Sequence, residues 1–254
     1  MTDHGLTWGV LPRETFDRVL VFSPHFDDAA MGAGHLLLAH PGTTVCTVFA
    51  GPPDRYPDEP SEWDALGGFR SGDDVVAIRR QEDLAALDVL DAEHHWLDFV
   101  DHQYLEPDAR ATADAVAPAL AAVVDAVAPT AVVLPLGIAN PDHVVTHEAG
   151  VLVAHERPDL AWFAYEDAGY KHIPGMLAWR ISKLFRSDLW PTPMIVPTRQ
   201  DHARKRAAIE CYVSQLEPLR RDHALEARID GAVAEQFWML APPPPGWERM
   251  RDAL

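Results

Sequence analysis

Cysteine is nearly absent from this chain of 254 residues: only Cys46 and Cys211 occur, in different expected elements. Two isolated thiols make no disulfide framework, so a reducing compartment is expected. Cys46 sits inside an apolar run and reads as a small buried hydrophobe. No run of about 18 or more apolar residues is present, which excludes a helical membrane span. The opening stretch MTDHGLTWGV lacks the charged start and apolar centre of a signal peptide, and a cytoplasmic protein is the expectation. Positive charge is scarce as well. Lys and Arg number 21 against 39 Asp and Glu, a formal net charge of −18. A nucleic-acid binder needs a cationic surface to replace phosphate counterions, so that class is excluded. The sequence shows no internal repeat and no low-complexity tail. Homo-oligomer formation is left open.

What is present is a regular alternation of apolar runs. With 48% hydrophobic and 24% charged residues, the chain can bury a sizeable core. Residues 18–23 (RVLVFS), 43–50 (TTVCTVFA), 95–100, 130–136 (TAVVLPL) and 160–165 read as buried strands. Between them, residues 29–39, 73–90, 108–127 and a segment running through Ala154 read as helices. This order predicts a Rossmann-like α/β fold: a mostly parallel sheet, helices on both faces, and an irregular C-terminal extension. The domain expectation is one unit over 1–254, with a core at about 15–170 and residues 171–254 adding substrate-side and packing elements. Within that extension, residues 194–197 read as an edge strand and 201–216 as one helix broken by Pro218. The apolar stretch 237–240 is expected to pack back onto the domain. Residues 51–72, rich in Pro, Gly and Asp, are long for a plain connection and suit an active-site loop.

In a parallel sheet the ligand crevice lies at the carboxyl ends of the strands. Two polar constellations fall there. Directly after the first strand comes Pro24-His25-Phe26-Asp27-Asp28. On a tight turn His25 and Asp28 can share one metal, while Asp27 points to the open side. The plainer reading makes Asp27 or Asp28 a helix cap and His25 a hydrogen-bonded turn residue. After the fourth strand, at the same end of the sheet, comes Asn140-Pro141-Asp142-His143. His143 can supply a third ligand, and Asp142 can orient His25 or His143 from behind. Two His and one Asp leave positions for water and substrate, as a catalytic zinc site requires. His147, one turn on, reads as a solvated helix residue, with a ligand or acid role as alternatives.

SPHFDDA and NPDH, in this order and spacing, resemble the PHPDDE-type and HPDH signatures of the PIG-L (LmbE-like) N-deacetylases. Arg79-Arg80-Gln81-Glu82-Asp83, Asp101, Tyr165-Glu166-Asp167 and Tyr212-Val213-Ser214-Gln215 resemble further motifs of that family and its bacterial branches. The resemblance implies one Zn2+ and removal of an N-acyl group, usually acetyl, from a small amino sugar, sugar conjugate or secondary-metabolite glycoside. It implies metal ligands His25, Asp28 and His143, the general base Asp27, and substrate-side roles for Arg79 and Asp101. Asn140 stands where the family's HPDH has its first His, at a catalytic position. An asparagine can donate a hydrogen bond but cannot titrate. This leaves three openings: slower chemistry, a substitute acid such as His147 or His102, or a different reaction on the same scaffold. An amidase acting on a larger conjugate and a non-catalytic ligand-binding homologue are the competing readings. Zinc supplies acidified water and a polarised carbonyl, and Asp27 can take the water's proton and return it.

Among other features, Trp63, Trp179 and Trp190 are candidates for stacking on a sugar, with core packing as the plainer account. His94 and His95 read as packing or surface residues, and Arg204-Lys205-Arg206 as a solvated helix face.

Overall fold

Five strands run parallel, four of them on the expected apolar runs and the third, at the sheet edge, displaced towards the N-terminus from the expected 95–100. They are β1 (Val19–Ser23), β2 (Thr44–Thr47), β3 (Glu93–Trp96), β4 (Ala131–Pro135) and β5 (Ala161–Tyr165). The computed structural model describes residues 11–229, 234–243 and 246. Two antiparallel strands complete the sheet, β6 (Trp190–Met194) and β7 (Phe237–Ala241), giving the order β3-β2-β1-β4-β5-β7-β6. All residues of β1 and β4 are buried. With a period of two, their side chains divide between the faces. Val19 and Val21 join one apolar cluster with α1 (Asp28–Ala39), α3 (Val75–Val89) and α7 (His202–Glu210). Leu20 and Phe22 join the other, with α4 (Ala113–Val127), α5 (Pro141–Glu156) and α6 (Met176–Leu184). The sheet is thus mostly parallel and covered on both faces.

β1 has β2 on one side and β4 on the other, so the connections leave β1 and β4 in opposite directions. The crevice this opens is where the chain following each strand meets.

Three expectations in the C-terminal third need correction. The extension is not irregular: it holds β6, β7, α6, α7, α8 (Val213–His223) and the short α9 (Leu225–Ile229). The edge strand lies at Trp190–Met194 rather than at residues 194–197. It pairs with β7 on one side only, which is where Pro191 and Pro193 are tolerated. The single helix over 201–216 is two, α7 and α8, parted at Cys211 and Tyr212, and Pro218 lies inside α8 instead of ending a helix. Earlier in the chain, the long loop contains the short α2 (Glu62–Leu66), N-capped by Ser61. The third strand ends at Trp96, and beyond it only isolated bridges at Asp98 and Val100 continue the pairing.

Helix α1 is broken at Ala33, whose φ of −138° is not helical. A break inside a buried helix orphans amides and carbonyls. Here the Glu235 carboxylate accepts from the amides of His35 and Leu36, and Lys205 Nζ donates to Met31 O and to Glu235. Lys205 is therefore buried, not part of a solvated face.

Candidate metal centre and its cavity

Both strand-end constellations arrive at one place. His25 leaves the end of β1, and Asp28 opens α1. His143 lies in the first turn of α5, whose N-terminus is built by Asn140 as cap and Pro141 at the first helical position. The loop into α5 needs special backbone. Gly137 has φ +78°, and a Cβ there would sit 2.5 Å from His147 Cβ.

His25, Asp28 and His143 each bring one donor atom to within 4.8 Å of the others. Asp28 Oδ2 lies 3.3 Å from His25 Nδ1 and 3.1 Å from His143 Nε2. The far nitrogen of each imidazole is held by a carboxylate: His25 Nε2 by Asp142 Oδ2 at 3.0 Å, His143 Nδ1 by Asp167 Oδ1 at 2.5 Å. Since a carboxylate only accepts, each far nitrogen carries a proton towards its own carboxylate, and each near nitrogen is left as the one that can give up its proton towards Asp28 and become a ligand when a cation binds. That donor set of two imidazoles and a carboxylate fits a divalent cation. Electrostatics agree. Burial works against charge on His25 and His143, yet Asp101, Asp142 and Asp28 around the first, and Asp28 and Asp167 around the second, raise both pKa values, that of His143 to about 9. Burial would raise the pKa of Asp28, but His143 and His25 hold it well below the usual carboxylate range. The pocket is built to hold positive charge.

Asp27 starts α1 but makes no side-chain cap bond. It is buried at the floor of a cavity of about 260 Å³. Burial, then the charge of Asp28, pushes its pKa up to about 6. The capping alternative thus fails for Asp27, while Asp28 does accept from the His25 amide at 2.9 Å. Asn140 lines the same cavity, but its Oδ1 accepts from Asp142 N at 2.8 Å and its Nδ2 faces Tyr170 Oη at 3.3 Å. Arg79 also lines it, buried against Phe69, with Nη2 on Asp64 at 2.7 Å and Nε without a partner among the described residues. Asp101 is at the wall, its two oxygens accepting from the amide and side chain of Gln103.

His147 is a correction. It is buried, donates from Nδ1 to Pro135 O at 2.9 Å, and does not line this cavity. Burial, then Arg180, lowers its pKa to about 3. Of the three tryptophans, Trp63 reaches the wall, held by Gln215 through Nε1 at 2.8 Å. Asp167, Asp64, Tyr170 and His223 belong to the site or its walls without having been singled out for it. Asp167 lay inside a quoted motif, but nothing local marks it as the partner of a histidine 24 positions away.

The family model described as PIG-L, GlcNAc-PI de-N-acetylase, matches residues 20–154. The chain belongs to this family. With membership in PIG-L goes the reaction class, hydrolytic N-deacetylation. Solved relatives agree. The zinc-inhibited form of teicoplanin deacetylase Orf2 is 25% identical, with a TM-score of 0.72 over 90% of this chain and all of that one. The A40926 pseudoaglycone deacetylase Dbv21 is 26% identical, with a TM-score of 0.69 over 89% of this chain and 98% of that one. GalB, a 4-carboxy-2-hydroxymuconate hydratase from Pseudomonas putida, shares the fold alone: 21% identity, TM-score 0.54, over 90% of this chain and 98% of that one. No curated protein matches the chain in sequence. Among the described residues no helix is long and apolar enough to cross a membrane.

Proposed function

We propose that this PIG-L protein is a zinc-dependent deacetylase that removes an N-acetyl group from the amino sugar of a small glycoconjugate. The observation that carries the reading is the paired arrangement at one crevice: two imidazoles and Asp28 converge with a buried carboxylate behind each ring, and Asp27 stands beside them facing the cavity. In this reading His25, Asp28 and His143 hold the zinc. Zinc bound there supplies Lewis acidity towards the amide carbonyl and a more acidic water.

The chain's own groups do the rest. Asp27, with its raised pKa, is ionised at neutral pH yet close enough to it to take a proton efficiently from the attacking water. Arg79 lines the cavity as a buried cation, suited to drawing in a substrate oxygen. Trp63 and Tyr170 offer faces for a sugar ring. Asp101, whose oxygens serve Gln103, acts by holding the wall in shape rather than by a free contact.

A second groove shares Asn140, Gly169, Tyr170 and His223 with the inner cavity and continues outward past His172, Ile173 and Pro174. It gives the rest of a conjugate somewhere to lie, which favours a glycoconjugate over a free sugar.

Metal analysis should find one zinc per chain, and chelation should abolish amine release from N-acetylated sugar conjugates. Asp27→Asn should keep the zinc and lose about 10²–10⁴ in kcat. Full turnover in that variant would remove Asp27 as the base. Zinc with no amine released from any sugar conjugate would overturn the substrate class.

A further inference from the structure

Resting on the deacetylase reading, one step has more than one candidate owner. An amide nitrogen leaves only once it is protonated, either by Asp27 returning the water's proton or by a second acid that enters the cycle already protonated. Asn140 cannot titrate, and its oxygen caps α5. His147 faces away, on the Pro135 carbonyl. His25 and His143 have both nitrogens committed, one to a carboxylate and one to the Asp28 cluster.

His102 is placed differently. It lines the cavity, a quarter exposed at its side chain. Its Nδ1 lies 3.0 Å from Asp142 Oδ2 and 3.3 Å from Asp101 Oδ1, and its main-chain amide donates to Asp142 Oδ2 at 3.0 Å. The carboxylates therefore fix the proton on Nδ1. Nε2 has no hydrogen-bond partner among the described residues and is left to the cavity. The ring is anchored at its base too, because Asp101 caps the 3-10 turn His102–Tyr104 by accepting from the Gln103 amide. Most telling, Asp142 Oδ2 also accepts from His25 Nε2 at 3.0 Å. One oxygen thus ties His102 to an imidazole of the metal cluster and sets the two at a fixed spacing.

We infer that His102 is the catalytic acid that protonates the leaving amine from Nε2. As the tetrahedral intermediate collapses, the C–N bond breaks and its electron pair passes to nitrogen. Nitrogen takes the Nε2 proton, the carbonyl re-forms, and the amine leaves neutral. Asp27, holding the water proton, returns it to His102 through solvent, so both groups end as they began. Burial opposes charge on His102, but hydrogen bonds with Asp101 and Asp142 outweigh it and lift the pKa to about 9, so the ring enters the cycle as a donor.

The test separates leaving groups. An N-acetylated amino-sugar conjugate needs an acid, whereas 4-nitrophenyl acetate expels a phenolate that departs unprotonated. His102→Asn keeps a donor near the Nδ1 position towards Asp142 and deletes Nε2; His102→Ala deletes both. Zinc content and thermal midpoint are read for every variant. Both variants should raise the ratio of ester to amide kcat by about 10²–10⁴, the worth of a general acid, with zinc retained in His102→Asn. An unchanged ratio in His102→Asn overturns the inference even if activity falls, since a merely structural loss slows both substrates together. Failure of the underlying reading looks different: the wild type itself would release no amine.

Discussion

Single residues behind the imidazoles decide how firmly a cation is held. Asp167 is fully buried, with Oδ1 on His143 Nδ1 and Oδ2 accepting from the Ile138 amide at 3.2 Å. Asp167→Asn would keep the shape but has one acceptor oxygen for two donors, His143 Nδ1 and the Ile138 amide, and no charge, so the His143 tautomer is held less firmly. Zinc affinity should fall about 10–100-fold, as read by competition with a coloured chelator; unchanged affinity would show that His143 needs no orienting carboxylate. This is also where sequence reading reaches its end. His25, Asp28 and His143 were legible because each follows directly from a strand end, and strand ends in a parallel sheet share one side. Asp167 was not, because its neighbourhood exists only once β5 lies beside β4 with Pro135 opposite Tyr165. Asp142 was legible as an orienting carboxylate, but its second charge, His102, depends on how the loop after β3 folds back.

At the level of elements, β1, β2, β4 and β5 were readable from apolar runs that need burial on both faces, whereas β3, an exposed EHHW edge strand, begins two residues before the expected run and ends within it. The C-terminal elements were not. β6 carries two prolines, and β7 earns its place only by pairing between β5 and β6, a long-range contact with no local signal. The break in α1 is not part of the expected single helical run over 29–39 either, although Gly32 and Gly34, poor helix formers, flank it at Ala33. Its stability depends on groups far along the chain. Glu235 satisfies His35 N, Leu36 N and Lys205, so Glu235→Ala strands two amides and a buried ammonium at once. Breaking such a buried pair costs about 3–5 kcal/mol. At roughly 2–4 °C per kcal/mol for a chain of this size, the midpoint of thermal unfolding should drop by roughly 6–20 °C. A shift below that, with helix content kept, would show that α1 holds its break without the carboxylate. Because Asp28 and Met31 lie in the half of α1 that ends at the break, the same variant should also loosen zinc.

For the molecule as a whole, groups buried on opposite faces of the sheet make opposing contributions to stability between about pH 4 and 7. His147, on α5, stays neutral in the fold, its pKa lowered to about 3 by burial first and then by Arg180. Unfolded, it would titrate near 6.5. Below about pH 6.5 the unfolded chain therefore binds a proton that the fold refuses, and stability falls as pH drops towards 3, by up to about 1.4 kcal/mol per pH unit. Asp83, on α3, behaves oppositely. Burial raises its pKa to about 7, against the lowering effect of the Trp96 and Tyr212 hydrogen bonds. Between about pH 4 and 7 the fold holds a proton that the unfolded chain has lost, so stability falls as pH rises. Over their shared window the two slopes oppose each other. Urea unfolding across pH 4.5–7.5 isolates each contribution as a difference from the wild type. The stability of wild type minus His147→Asn should shrink as pH falls below 6.5. That of wild type minus Asp83→Asn should shrink as pH rises from 4 to 7. Taking differences cancels the titration of His25, Asp28 and His143, which both variants retain, and leaves in the Asp83 difference its coupling to Asp27, whose charge also raises the Asp83 pKa. A pH-independent difference for either variant would mean that the group in question does not keep its unusual charge state in the fold.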